Sequence, residues 1–226
     1  FVRAELPREL AARGEMQRAV TEYEAVVKAA AGDNRVLAPA LVDLGRTLSQ
    51  AGRDQEAQAA LDRALGIAAG ESGARRQILE ALAEIYRRSE RLPALVERLA
   101  KQAAGAEELK LLAQLYEETG QVEKALATHR KVLSRDPKEV GTRLRVVHLL
   151  EVRGELDLAI AEYEALIKSA PRNPDYVFRL TEALLQRGDR KRALTELGAL
   201  EARSGNDEET LTALVDFYER MEEKDR

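Results

Sequence analysis

Acid–base, nucleophilic and metal chemistry each need particular side chains at particular spacings, and this sequence offers few of them. It has no cysteine, which removes disulfides, thiolate metal sites and a thiol nucleophile together. The histidines are His129 and His148. Adjacent acids occur at Glu107–Glu108, Glu117–Glu118 and Glu208–Glu209 among others, but a carboxyl needs burial or a tight like-charge neighbour before its acidity is perturbed. These pairs therefore read as solvated helix faces. Arg75–Arg76 and Arg87–Arg88 read as surface charge and not as a phosphate site. No phosphate loop, dinucleotide fingerprint or His-Glu-x-x-His helix is present. The sequence is expected to hold no catalytic residue, no cofactor and no metal, and so not to be an enzyme.

With chemistry set aside, the question becomes which elements the residues build. Of 226 residues, 45% are apolar and 34% charged, with 6 prolines and no tryptophan. Ala, Leu, Glu and Arg dominate, a composition of good helix formers. The net charge of −4 gives a nucleic-acid partner no electrostatic support. No run reaches the roughly 18 apolar residues of a membrane span, so no membrane insertion is expected. The chain opens on Phe1 with no initiator methionine and reads as a piece of a longer protein. Its compartment, cytoplasmic or periplasmic, stays open.

The segment RGEMQRAVTEYEAVVK at 13–28 returns as RGELDLAIAEYEALIK at 153–168, identical at nine of sixteen positions. Taking its glycine as a pivot, Gly14, Gly52, Gly120, Gly154 and Gly188 recur with Glu90 standing in once, at spacings of 38, 38, 30, 34 and 34. Five residues after each pivot stand Ala19, Ala57, Leu95, Ala125, Ala159 and Ala193, and nine after it Tyr23, Leu61, Leu99, His129, Tyr163 and Leu197. Four before it come Leu10, Leu48, Tyr86, Tyr116, Leu150 and Leu184. This is two amphipathic helices per unit, broken at the pivot. A left-handed glycine ends the first helix, and alanine lets the second press close against it. In this register His129 is a packed core residue and His148 faces another surface, so they do not share a metal. Asp136, Asn173 and Asp207 are candidate N-caps. GDNRVLAP and GESGARR read as lengthened joints that account for the 38-residue spacings.

These residues resemble the tetratricopeptide repeat family over essentially the whole chain, most specifically from LKLLAQLYEETGQVEKALATHRKVLSRDP (109–137) onward. The likeness weakens at Glu90, Leu95 and Leu99, and in the first unit, where Pro7 lies in the leading helix. It implies an all-α, right-handed superhelical solenoid. A single array over 1–226 would have units at about 1–34, 35–72, 73–104, 105–137, 138–171 and 172–205, with a final helix at 207–224 acting as a cap through a polar outer side of Asp216, Glu219, Glu222 and Glu223. The period also suits pentatricopeptide repeats, but those RNA readers tend to be basic and lack this Gly-then-Ala punctuation.

A stacked array leaves its concave face free, and the resemblance implies that a partner binds there. In this register groove positions lie three, six, ten and thirteen residues before each pivot. With Glu222 taken as a final pivot for the last helix, ten of those from the second unit on are acidic and three, Arg46, Arg87 and Lys110, are basic. The candidate partner-binding residues are Glu80, Glu84, Lys110, Gln114, Leu144, His148, Asp175, Phe178, Glu182 and Leu185. They describe an acidic wall with an apolar patch of Leu144, Phe178 and Leu185, suited to a basic, amphipathic peptide or helix of another protein. A carboxylate clamp known in the family maps onto Lys110, Gln114, Arg145, Asp175 and Arg179. Two of its five places match, and Asp175 would repel the ligand. The expected function is a protein–protein interaction scaffold. Two alternatives stand beside it: the recruiting or regulatory arm of a larger enzyme, and self-association through Phe1, Val2 and Leu6 or through the last helix.

Overall fold

The computed structural model of the protein describes residues 5–68, 72–171, 173–205 and 207–223. Among these there are thirteen helices and no strand. The leading helices are α1 (Glu5–Ala12), α3 (Asn34–Gln50), α5 (Ser72–Arg88), α7 (Ala106–Glu118), α9 (Val140–Val152) and α11 (Pro174–Arg187). Their second helices are α2 (Met16–Ala29), α4 (Asp54–Ile67), α6 (Leu92–Gln102), α8 (Val122–Arg135), α10 (Leu156–Ser169) and α12 (Arg190–Ser204), and α13 (Glu208–Glu223) stands alone at the end. The chain divides into two compact units, with the boundary in sequence between Thr128 and His129, within α8.

Each hairpin turns at its pivot. Gly14, Gly52, Gly120, Gly154 and Gly188 have φ between +71° and +86°, and Glu90 takes the same left-handed region at φ +56°. The pivot amide donates to the carbonyl three residues back and the next amide to the carbonyl five back, as in Gly52 N to Ser49 O (3.1 Å) and Arg53 N to Leu48 O (2.9 Å). Glu90 and Arg91 make the same pair of bonds to Arg87 and Tyr86. Backbone alone thus closes the helix end. Every residue named five after, nine after and four before a pivot is buried, His129 at 2% exposure.

One close helix approach needs a glycine that the repeat pattern does not mark. At Gly45 in α3, an added Cβ would lie 2.8 Å from Leu61 Cγ and 3.2 Å from the Ala57 carbonyl of α4.

Three expectations are corrected. The extra residues of the 38-residue spacings lengthen the leading helices, not the joints: α3 and α5 have 17 residues where α7 and α9 have 13. Asp33 caps α3 through the Arg35 amide, so GDNRVLAP is mostly helix with Pro39 inside it. Of GESGARR, residues 70 and 71 lie outside the described residues and the rest is helical. Four residues are close to one turn, so the apolar stripe keeps its phase. The 30-residue spacing comes with a shortened second helix, 11 residues in α6 against 14 in α4.

The second correction concerns caps. Asn173 and Asp207 cap their helices, Asn173 through the Asp175 amide and Asp207 through Thr210. Asp136 does not. It accepts from the Lys138 amide in the turn before α9, and Glu139 caps that helix through the Thr142 amide. Pro7 is accommodated as the third residue of α1, where its missing amide proton would have had no helical partner.

The third concerns charge. Glu108 is only 7% exposed and pairs with Arg75 across α5 and α7, while Arg75 also donates to the Leu65 carbonyl (3.2 Å). Arg88 reaches from α5 to Ser49 and Asp54, and Arg87 to Glu118 at 2.7 Å. These residues pin neighbouring hairpins together. Adjacent helix residues point about 100° apart, so Glu108 and Arg75 turn inward while Arg76 stays exposed; Arg87, Arg88, Glu118, Glu208 and Glu209 are all exposed, as surface charge is expected to be.

Candidate functional site

In the second unit, α11 and α13 lie on either side of an open groove. Its floor begins as core: Val177, Leu197, Leu200, Leu214, Phe217 and Met221 cluster together, with Phe178 and Leu185 half-buried against them. Phe178 from α11 stacks on Phe217 from α13, ring centroids 5.6 Å apart and planes inclined by 22°. Parallel offset rings of this kind hold the two helices in fixed register. Arg220 lies over the Phe217 ring, 5.0 Å from its centroid.

Two hollows open along this groove. One, of about 460 Å³, is lined by Asp175, Phe178, Arg179, Glu182, Ala213, Asp216, Phe217 and Arg220. The other, of about 520 Å³, is lined by Glu182, Leu185, Gln186, Arg190, Phe217, Arg220 and Met221. Glu182, Phe217 and Arg220 border both, so the hollows adjoin. Glu182 stands 3.4 Å from Arg179. Beneath, the buried Tyr163 of α10 donates to Glu151 at 2.8 Å. Burial, reinforced by that carboxylate, pushes the phenol well above its ordinary range, so it stays a neutral donor and ties α10 to α9.

Four expected site residues therefore meet here: Asp175, Phe178, Glu182 and Leu185. Leu144 (39% exposed) and His148 are exposed on α9 and line neither hollow. In the first unit, Glu80 and Glu84 border a separate hollow of about 330 Å³ between α3 and α5 with Arg46, Ser49 and Arg88. Lys110 is half-buried beside Glu107 at 3.6 Å, and Gln114 is exposed on α7. Two positions assigned to the groove face, Val42 and Ser49, are buried, Ser49 under the Arg88 guanidinium.

The wall that α13 supplies, Ala213, Phe217, Arg220 and Met221, was not among the expected site residues. Its signal was the apolar stripe of that helix, which reads as a cap until α11 is seen across from it. Of the residues expected on the outer side of α13, Glu219 is exposed, whereas Asp216 borders the hollow beside Phe178 and Phe217. The side chains of Glu222 and Glu223 lie outside the described residues, as do Phe1 and Val2; Leu6 is exposed. Among the described residues no group of three or more His, Asp or Glu is placed to hold a metal ion, and no helix is long and apolar enough to cross a membrane.

Against known proteins, tetratricopeptide repeat family models match residues 38–70 and 108–141. No curated protein matches the chain by sequence. Among solved structures, YrrB, described as a TPR protein with an unusual peptide-binding site, aligns over 84% of this chain and 98% of its own at 17% identity and a TM-score of 0.51. A mutant form of MamA aligns over 75% of this chain and 99% of its own at 18% identity, also with a TM-score of 0.51. At such identities the likeness is one of fold.

Proposed function

Because the chain is a tetratricopeptide-repeat protein, a family of protein–protein interaction scaffolds, we propose that its second unit binds an amphipathic segment of another protein in the groove between α11 and α13. The observation that carries this reading is the pair of adjoining hollows around the Phe178–Phe217 stack. Apolar anchors of the partner enter beside the two rings and against Leu185 and Met221, and supply most of the affinity. Basic residues of the partner face Asp175, Glu182 and Asp216, which steer its approach. A peptide-binding site in the similarly folded YrrB is consistent with that use of the fold.

The test is binding of a fluorescent amphipathic helical peptide of about fourteen residues, the length of α11, carrying lysines beside its apolar face. Glu182→Lys reverses a groove-lining charge and breaks its exposed pair with Arg179; it should weaken binding about tenfold, or ~1.4 kcal/mol, with the circular dichroism of the fold unchanged. Phe178→Ala should weaken it at least as much. Equal binding by the wild type and both variants would reject the site.

A further inference from the structure

The two hollows differ in charge, and the difference is directional. Side chains follow one another along α11 as Asp175, Phe178, Arg179, Glu182, Leu185 and Gln186, with Arg190 just beyond the turn; along α13 they run Ala213, Asp216, Phe217, Arg220 and Met221. The hollow bordered by Asp175 has three carboxylates in its lining, Asp175, Glu182 and Asp216, against two guanidinium groups. The hollow bordered by Arg190 keeps only Glu182 among acids, already 3.4 Å from Arg179, and sets Arg190, Arg220 and the Gln186 amide around the apolar Leu185 and Met221. Arg220 makes two contacts on its own helix, with the Phe217 ring at 5.0 Å and through its Nε, which donates to the Asp216 carbonyl at 3.2 Å. Its charge is therefore fixed at the boundary between the hollows.

We infer that the groove selects a bipolar segment: an amphipathic helix whose cationic end lies over Asp175 and Asp216 and whose anionic end lies over Arg190, Arg220 and Gln186. This rests on the groove reading above and adds the charge order of the partner to it. A uniformly basic helix satisfies one hollow and sets like charge against the other, and a uniformly acidic helix does the reverse. Like-charge contact at an interface is what excludes wrong partners, so the arginines act as the discriminating residues of the site. Extra orientation comes from the partner's own helix dipole, whose positive N-terminal end prefers the acidic hollow.

The experiment uses the whole chain and three synthetic helical peptides with the same apolar face. One carries Lys at both ends, one Glu at both ends, and one Lys at its N-terminal and Glu at its C-terminal end. The bipolar peptide should bind about tenfold more tightly than either of the others, and the preference should shrink in high salt as screening sets in. In the double variant Arg190→Glu with Arg220→Glu, the Lys-ended peptide should become the tightest. If the Lys-ended peptide already binds wild type as tightly as the bipolar one, the charge order is wrong while the groove stands. If none of the three binds, the groove reading itself fails and takes this inference with it.

Discussion

Glu90 holds a backbone conformation that glycine holds at five equivalent turns, and it makes the same two closing hydrogen bonds that they make. A side chain in the left-handed region costs roughly 1–2 kcal/mol, offset in part by the smaller entropy that a non-glycine residue loses on folding. Glu90→Gly should therefore stabilise the protein by about 1 kcal/mol, read as a rise in the urea midpoint with an unchanged slope. No gain would show that the strain is relieved elsewhere. At this scale much was legible: pivot, alanine and aromatic positions could be placed from spacing alone, because each is dictated by local backbone geometry or by the helical repeat. The burial of Glu108 beneath Arg75 was not, because its partner comes from a helix more than thirty residues away.

At the scale of the element, helices here change length by about one turn while the hairpin geometry is kept, as the 17-residue α3 and α5 and the 11-residue α6 show. What cannot change is the distance between paired helices. Gly45 sets it for α3 and α4, and Gly45→Val would push a branched side chain into Leu61 and the Ala57 carbonyl. Overpacking of this kind costs about 1–3 kcal/mol. Because helices in this protein touch mainly their neighbours in the chain, the damage should stay local. Amide exchange should quicken in α3 and α4 and be unchanged in α11 to α13. Equal acceleration everywhere would mean that the helices unfold as one cooperative body. The sequence marked where each leading helix ends far better than where α3, α5 and α9 begin. A left-handed turn has a single residue signature, whereas a helix start is shared among several capping side chains that compete, as Asp136 and Glu139 do before α9.

For the whole molecule, carboxylates in both units are held below their ordinary range. Glu56 is lowered by its hydrogen bonds from Arg53 and Glu97 by Lys101 in the first unit; Asp189 is lowered by the Arg192 amide and Asp207 by Thr210 in the second. A carboxyl whose acidity is strengthened by folding stabilises the fold above its unfolded pKa and loses that contribution as pH falls through its folded value. The melting temperature should stay flat from pH 7 to about 5 and drop as pH falls through about 4 toward 3. In 1 M salt the part due to the exposed Arg53–Glu56 and Lys101–Glu97 pairs should be screened away. A melting temperature constant down to pH 3 would remove this account. The sequence by itself determined the helical class, the period, the hairpin turns and the buried stripe, since these follow from interactions a few residues apart. Only the tertiary structure decided that Asp175, Phe178, Glu182 and Leu185 share one groove while Leu144 and His148 line neither of its hollows, and that α13 supplies the facing wall. A groove is made by two helices distant in the chain, and its far side is set by packing, which no local spacing encodes.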